Sequence, residues 1–124
     1  MSNGCVIVIG GGGGVGSALV ERLDPTRRAI VVASRSASNH GVSGVHSVVC
    51  DATDFEAVDG LVQQALSDHG EVDGVVNLAG SILLKPAHLV TPADWSATIA
   101  TNLTTAFAVV RAVGKNVRTP ASVV

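Results

Sequence analysis

Short apolar runs recur along the chain at intervals that suit buried strands. The run Cys5–Ile9 is continuous and rich in β-branched residues, a pattern typical of a strand covered on both faces. Similar runs follow at 29–33 and 45–50, and a shorter one lies at 74–77. A last apolar run, 121–124, predicts the beginning of a further strand. The pattern therefore predicts five strands of a parallel sheet.

Three stretches between these strands carry apolar residues at helical spacing. The first predicts a helix from about 14 to 24, which ends at an Asp-Pro pair. The second covers 55–69, and Thr53 with Glu56 fits a capping box at its start. The third predicts one long helix over 92–113, with a proline at its first position.

The order of these elements is β-α-β-β-α-β-α-β, because the polar segment 34–44 between the second and third strands carries no strong helical stripe. Strands that alternate with helices are typical of an α/β fold with a parallel sheet and right-handed crossovers. The length of 124 residues allows one domain, which we expect to span 1–124.

Composition and charge exclude several classes of protein. Hydrophobic residues make up 47% of the chain and charged residues 15%, which excludes a disordered chain. The net charge of −2 and the absence of a basic run exclude an electrostatically driven nucleic-acid binder. The apolar stretch 5–20 is interrupted by glycines and is shorter than the roughly 18 residues that a membrane span needs. We therefore expect neither a nucleic-acid nor a membrane partner.

The two cysteines, Cys5 and Cys50, both lie in apolar runs. We expect buried, reduced thiols and no disulfide, because their strands should be separated by the second strand. The N-terminus also lacks a basic segment and a cleavage site. These features predict a cytoplasmic protein.

A glycine-rich loop joins the first predicted strand to the first predicted helix, which is the setting that raises such a motif above chance. Glycines let the backbone approach a pyrophosphate, which then lies against the N–H groups at the helix N-terminus. A flexible turn without a ligand is the alternative, and a Walker A loop is excluded because no Lys-Ser/Thr pair follows. Three registers fit: Gly11, Gly13 and Gly16; Gly10, Gly14 and Gly16; and Gly10, Gly13 and Gly16.

Further motifs follow the later strands. Asp51 comes after the third strand, Asn77-Leu78-Ala79-Gly80 ends the fourth, and Asn102 lies on the long helix. With these residues in order and at these spacings, the chain resembles the N-terminal half of a classical short-chain dehydrogenase/reductase. The family motif T-G-x-x-x-G-x-G is matched by Gly10, Gly14 and Gly16, with Ile9 in place of threonine. The family motif N-N-A-G is matched with Leu78 in place of the second asparagine.

The resemblance implies a Rossmann-like doubly wound parallel sheet in the order 3-2-1-4-5, incomplete because the chain ends in the fifth strand. It implies that Asp51 meets the adenine with Ala52 beside it, and that Asn102 belongs to the catalytic tetrad. The cofactor-binding residues that we expect are Gly10, Gly12, Gly13, Gly14, Val15, Gly16, Ser34, Arg35, Asp51, Ala52, Asn77, Ala79 and Gly80.

The choice of cofactor depends on the residues after the second strand, about 20 residues beyond the glycines, where an acidic residue would favour NAD. This chain has Ser34-Arg35 there. An arginine offers a fork of donors to a 2′-phosphate, whereas a carboxylate would repel it. The sequence therefore favours NADP. NAD stays possible if Arg35 is an ordinary solvated loop residue.

In the family, a tyrosine hydroxyl transfers the proton, a lysine four residues later lowers its pKa, and a serine orients the substrate. This chain has no tyrosine, and neither Lys85 nor Lys115 stands in a Tyr-x-x-x-Lys motif. Of the tetrad only Asn102 is present. We therefore expect a truncated form of a longer enzyme, inactive by itself, whose complete form passes hydride between NADP(H) and an unidentified carbonyl or alcohol.

Two other functions stay open. One is a non-catalytic dinucleotide-binding module, or an inactive truncated fragment, which the missing tyrosine favours. The weaker alternative is another Rossmann-like protein that binds its ligand with such a glycine loop, for example a methyltransferase. Asp51 and the residues 77–80 argue against it. From the resemblance we also expect a homo-oligomer, a dimer or tetramer, in the complete form.

The remaining polar residues suggest no further site. His40 and His46 lack a second ligand at useful spacing, so we expect no metal site. His88 and Asp94 fit an exposed loop residue and a first-turn carboxylate.

Overall fold

The computed structural model describes residues 4–36 and 40–124. Its sheet is wholly parallel, in the order β3-β2-β1-β4-β5. This confirms the strand order that the resemblance implies. Part of the predicted loop 34–44, namely 37–39, lies outside the described residues. The strands are β1 (Cys5–Ile9), β2 (Ala29–Ser34), β3 (Val45–Val49), β4 (Val72–Asn77) and β5 (Ser122–Val123).

Helices cover both faces of this sheet, as a parallel sheet requires. They are α1 (Gly14–Arg22), α2 (Phe55–His69), α3 (Pro92–Ile99) and α4 (Thr105–Asn116), with a short 3₁₀ turn at Ala87–Leu89. Alternate strand residues point to opposite faces. Ile7 and Val75 belong to the larger core under α2 and α4, and Val8 and Val32 to a smaller core with Val20 of α1. Each fully buried aliphatic side chain of this kind contributes roughly 1.5–3 kcal/mol.

The start of α2 differs from the prediction. The cap is Asp54, whose Oδ1 accepts hydrogen bonds from the backbone N–H of Glu56 (3.0 Å) and Ala57 (3.4 Å). The Thr53 hydroxyl instead donates to Asp51 Oδ1 at 2.7 Å. The predicted Thr53–Glu56 capping box is therefore wrong, because the helix begins at Phe55 and Asp54 occupies the N-cap position. The helix ends at His69, with Gly70 as its C-cap, as predicted.

The predicted long helix over 92–113 is continuous in backbone conformation, but it contains a π-helical segment. A capping box between Thr91 and Asp94 begins α3, and a π-helical segment, Ala100–Thr104, separates α3 from α4. Side-chain hydroxyls bond backbone carbonyls four residues back on both sides of this segment: Thr98 to Asp94 and Thr105 to Thr101. Such bonds compete with the helix's own hydrogen bonds and bend helices.

An ionic and aromatic contact holds α4 against α2. Asp59 Oδ2 accepts hydrogen bonds from Arg111 (3.0 Å) and Lys115 (3.1 Å). The Lys115 bond is the main reason why the pKa of Asp59 is lowered from its usual value. Arg111 also lies 5.4 Å from the centre of the Phe55 ring, and Phe55 packs on Phe107 with ring centres 5.6 Å apart. The contact holds α4 on α2, and with it the π-helical segment that precedes α4 in the chain.

Both cysteines are free and buried, as expected, and β2 separates β1 from β3. Burial raises the pKa of the Cys5 thiol to about 11. Within the described ranges, no helix is both long and apolar enough to cross a lipid bilayer.

Candidate functional site

The main candidate site is a cleft at the carboxyl ends of the strands, where the strand order changes direction. β1 pairs with β2 on one side and with β4 on the other, so the loops after β1 and β4 diverge there. In open α/β sheets, ligands bind in this crevice. The cleft has a volume of about 330 Å³. Its lining residues are Ile9, Gly10, Gly12, Gly13, Ala33, Ser34, Arg35, Ser36, Cys50, Asp51, Ala52, Thr53, Leu78, Ala79, Gly80, Thr101 and Thr105.

The glycine loop lines the floor of the cleft. Two of its glycines leave no room for a side chain. Gly10 has φ +79°, and a Cβ there would lie 2.8 Å from the carbonyl carbon of Leu78. A Cβ on Gly16 would overlap Gly11 and lie 2.6 Å from the Gly10 oxygen. Helix α1 begins at Gly14, and Gly13 at its N-cap offers no side-chain hydrogen bond. The free N–H groups of this first turn therefore face the loop, where they favour an anion.

Asp51 forms one wall of the cleft, and its orientation is fixed by Thr53. Its Oδ1 accepts hydrogen bonds from the Thr53 hydroxyl at 2.7 Å and the Thr53 N–H at 3.0 Å. These bonds, and to a smaller extent the positive charge of Arg35, lower the pKa of Asp51. Arg35 itself is exposed at the cleft margin, and the Ser34 hydroxyl beside it donates to the Ser36 carbonyl at 2.6 Å. The Asp51 carboxylate, held by Thr53, thus lies near the exposed guanidinium of Arg35.

The segment after β4 is held by two asparagines. Asn77 Oδ1 accepts the Ala79 N–H at 3.1 Å. Asn102, in the π-helical segment, accepts the Ser81 N–H (3.1 Å) and donates to the carbonyls of Ser81 (3.1 Å) and Thr98 (3.0 Å). Asn102 therefore ties the chain after Gly80 to the helix and does not itself line the cleft.

The structure brings most of the predicted cofactor residues to one cleft. Gly14, Val15 and Gly16 lie just outside its lining, in the first turn of α1, and Asn77 supports Ala79 from the end of β4. The predicted set lacks eight lining residues, three of them apolar; the five with hydroxyl or thiol groups are Ser36, Cys50, Thr53, Thr101 and Thr105. The spacing of Thr101 and Thr105, four residues apart, was the one available signal, because it places both hydroxyls on one helix face.

Other polar groups lie away from the cleft lining. Asp94 caps α3 and pairs with Lys85 at 2.6 Å, and this bond lowers the pKa of Asp94 to about 2. His88 lies exposed in the 3₁₀ turn. The part of the chain that the structure describes contains no group of three or more metal-ligating side chains.

A comparison with protein-family models matches nearly the whole chain. The model of the short chain dehydrogenase family matches residues 4–124. The chain is 36% identical over 76 residues to the D-threitol dehydrogenase of Mycolicibacterium smegmatis, covering 60% of this chain and 29% of that protein. It is 31% identical over 115 residues to the 3-oxoacyl-(acyl-carrier-protein) reductase MabA of Mycobacterium avium, covering 91% of this chain and 44% of that protein.

Solved structures agree with the fold. A short-chain dehydrogenase/reductase from Serratia marcescens superimposes with a TM-score of 0.83 at 25% identity, covering 98% of this chain and 56% of that one. The chain thus spans about half the length of this structure, and less than half of the two curated relatives.

Proposed function

The chain belongs to the short chain dehydrogenase family, and from that premise we propose that its cleft binds the dinucleotide NADP(H). The observation that carries the proposal is the packing of the glycine loop. Gly10 and Gly16 permit a backbone approach that a Cβ would block, directly in front of the α1 N-terminus. A pyrophosphate needs such a cradle, because its charge is stabilised by N–H groups and by the helix dipole. The residues present therefore fit the phosphate part of the cofactor.

The preference for NADP over NAD rests on Arg35. The residue is exposed and lies at the cleft margin, beside Ser34 and Ser36. A guanidinium there can donate two hydrogen bonds to a 2′-phosphate, and no carboxylate stands at the corresponding end of β2 to repel it. Asp51 and Ala52 line the same cleft and are the proposed contacts to the adenine.

The proposed activity of the complete enzyme is oxidoreduction of a small carbonyl or alcohol, for which the nicotinamide supplies or accepts the hydride when bound. Asn102 would act through the segment after Gly80, whose backbone it holds. Proton transfer needs a group such as the tyrosine that the resemblance implies, and the sequence contains no tyrosine. A binding module without turnover is the second candidate.

Four further proposals concern the setting of this function. We propose that residues 1–124 form one cofactor-binding domain, that the protein works in the cytoplasm, and that the complete form is a homo-oligomer. The free, buried cysteines support a reducing compartment. Exposed apolar side chains on α4 support self-association. We also propose that the substrate is a small molecule, as the name D-threitol dehydrogenase indicates for that relative.

Direct titration tests the binding proposal. The purified chain should quench or shift the fluorescence of NADPH with saturation at one molecule per chain. Gly13→Val should abolish this signal, because Gly13 lines the cleft and a Cβ there meets no protein atom closer than 3.6 Å. Absence of saturable binding by the folded wild-type chain would overturn the proposal. The two candidates are separated with the complete protein, in which oxidation of NADPH by a carbonyl compound would contradict a pure binding module.

Arg35→Asp tests the choice of cofactor. The substitution should weaken NADPH binding by a factor of about 100, since it removes a charge-assisted hydrogen-bond pair and adds a repulsive charge. NADH binding should change little. Arg22→Asp, at the exposed end of α1, is the matched control for the change in net charge. Equal effects of Arg35→Asp on both cofactors would remove the case for recognition of a 2′-phosphate.

A further inference from the structure

Two histidines meet at the edge of the sheet opposite to the cofactor cleft. His46 lies near the start of the edge strand β3, in register with Val31 of β2, and His69 is the last residue of α2. Their ring centres are 5.2 Å apart and their planes are inclined at 44°. Both rings border a cavity of about 310 Å³. Strand β3 starts far from the carboxyl ends that form the cofactor cleft, so this pair is a separate feature.

The separation of the rings matches that of two imidazoles on one tetrahedral ion. A zinc–nitrogen bond of about 2.0–2.1 Å places the ring centre about 3.2 Å from the metal, and two such rings at the tetrahedral angle lie about 5.2 Å apart. Two rings in simple contact lie about 4.5–7 Å apart, so zinc titration, and not this distance alone, distinguishes the two arrangements. Imidazole nitrogens suit zinc and the neighbouring transition metals, whereas Mg²⁺ and Ca²⁺ require oxygen ligands.

The surroundings of the pair also favour a cation. Asp68 lines the same cavity, and its carboxylate accepts a hydrogen bond from Gln64 Nε2 at 2.8 Å. The last turn of α2 presents the negative end of the helix dipole. His46 is exposed and His69 half-buried, so an ion in solution has access to both.

We propose that His46 and His69 form a binding site for one divalent zinc-type ion, with water in the remaining coordination positions. The ion would join β3 to the end of α2. Such a cross-link stabilises only the folded state, because the two histidines are distant in the unfolded chain. The proposal stands independently of the proposed cofactor function, since no residue of the pair lines the cofactor cleft.

Titration of the tag-free 124-residue chain with ZnCl₂, followed by calorimetry, tests this site. We expect one zinc ion per chain and a rise of the melting temperature with zinc concentration. His46→Gln and His69→Gln should each weaken zinc binding at least about tenfold. Their far-UV circular dichroism and NADPH binding without zinc should remain those of the wild type.

His88→Gln is the matched control, since it removes an exposed histidine from the 3₁₀ turn. It should leave zinc binding unchanged, and an excess of MgCl₂ should not displace the zinc. Failure of the wild-type chain to bind zinc with saturation would overturn the proposal. Zinc binding that survives both His46→Gln and His69→Gln would also overturn it, because the ion would then lie elsewhere.

Discussion

Gly16 lies where the first turn of α1 passes over the glycine loop. A Cβ at this position would overlap Gly11 and lie 2.6 Å from the Gly10 oxygen. Because such overpacking forces the backbone to move, we expect Gly16→Ala to lower the free energy of unfolding by about 1–3 kcal/mol. Urea denaturation followed by circular dichroism measures this change.

Gly14→Ala is the control for that experiment, because a Cβ on Gly14 would meet no atom within 4 Å. Gly14 begins α1, where alanine restricts the unfolded chain and suits the helix. The free energy of unfolding should stay unchanged or rise by up to about 1 kcal/mol. If both substitutions destabilise the protein equally, close packing is not the reason for glycine at position 16.

At the scale of the elements, the side chain of Asn102 joins the π-helical segment between α3 and α4 to the backbone after β4. Its side chain makes three hydrogen bonds, two of them to the backbone of Ser81. Asn102→Ala should lower the free energy of unfolding by about 1–2 kcal/mol, because each lost bond contributes about 0.5–1.5 kcal/mol and water replaces part of it. Hydrogen exchange should show that the Ser81 amide loses its protection.

Asn102→Asp separates the bonds that Asn102 accepts from those that it donates. A carboxylate still accepts the Ser81 N–H but cannot donate to the carbonyls of Ser81 and Thr98. The Ser81 amide should therefore stay protected while the protein loses part of its stability. Unchanged protection of Ser81 in Asn102→Ala would contradict the tie between the two segments.

The start of α3 should show a defined pH dependence. The Lys85 ammonium, together with hydrogen bonds from Thr91, lowers the pKa of Asp94 from 3.8 to about 2. A carboxyl group whose pKa is lower in the folded state stabilises the fold above its unfolded pKa, and this contribution is lost as the pH falls. The stability difference between the wild type and Asp94→Asn should be complete at pH 6 and fade between about pH 4 and pH 2. Urea denaturation across this range measures it, and a difference that does not change with pH would contradict the ion pair.

The elements differ in how well the sequence predicts them. The strands follow from β-branched runs, because burial on both faces leaves a continuous apolar signal. The π-helical segment within the helix over 92–113 has no such signal, since the hydrophobic spacing is that of a regular helix. Threonine and asparagine side chains bond backbone carbonyls four residues back in and around this segment. The cap of α2 was mispredicted because Asp54, which directly precedes the helix, also has a side chain that can cap it.

At the scale of the whole molecule, the cleft could be predicted only in part. The glycine loop and the residues after each strand carry a local signal, because the carboxyl ends of parallel strands meet at one edge. Thr101 and Thr105 reach the same cleft through the docking of α4 on α2. That docking depends on Asp59, Arg111 and the aromatic contact, which are distant in sequence. The His46–His69 pair was missed for the same reason.

The outer side of α4 carries the strongest signal for assembly of the whole molecule. Leu103, Phe107 and Val110 lie at helical spacing and form an outer stripe with exposures of 61%, 57% and 59%. Contiguous exposed apolar side chains mark interaction surfaces. We expect the chain to self-associate through this stripe, with a fraction of dimer that rises with concentration in sedimentation velocity. Because each buried Leu or Val contributes roughly 1.5–3 kcal/mol, the pair of substitutions Leu103→Glu and Val110→Glu should weaken association at least about 100-fold.

The control for that experiment is Val42→Glu, which adds one negative charge, half that of the pair, at a position that is 51% exposed in the loop before β3. This variant should associate like the wild type, because position 42 lies outside the outer stripe. The double variant Leu103→Glu and Val110→Glu should keep its circular dichroism spectrum, since both side chains are already exposed in one copy of the chain. A wild-type chain that sediments as a monomer at every concentration would show that the stripe does not bind a second copy. An equal loss of association in Val42→Glu would show that charge, and not the apolar stripe, governs assembly.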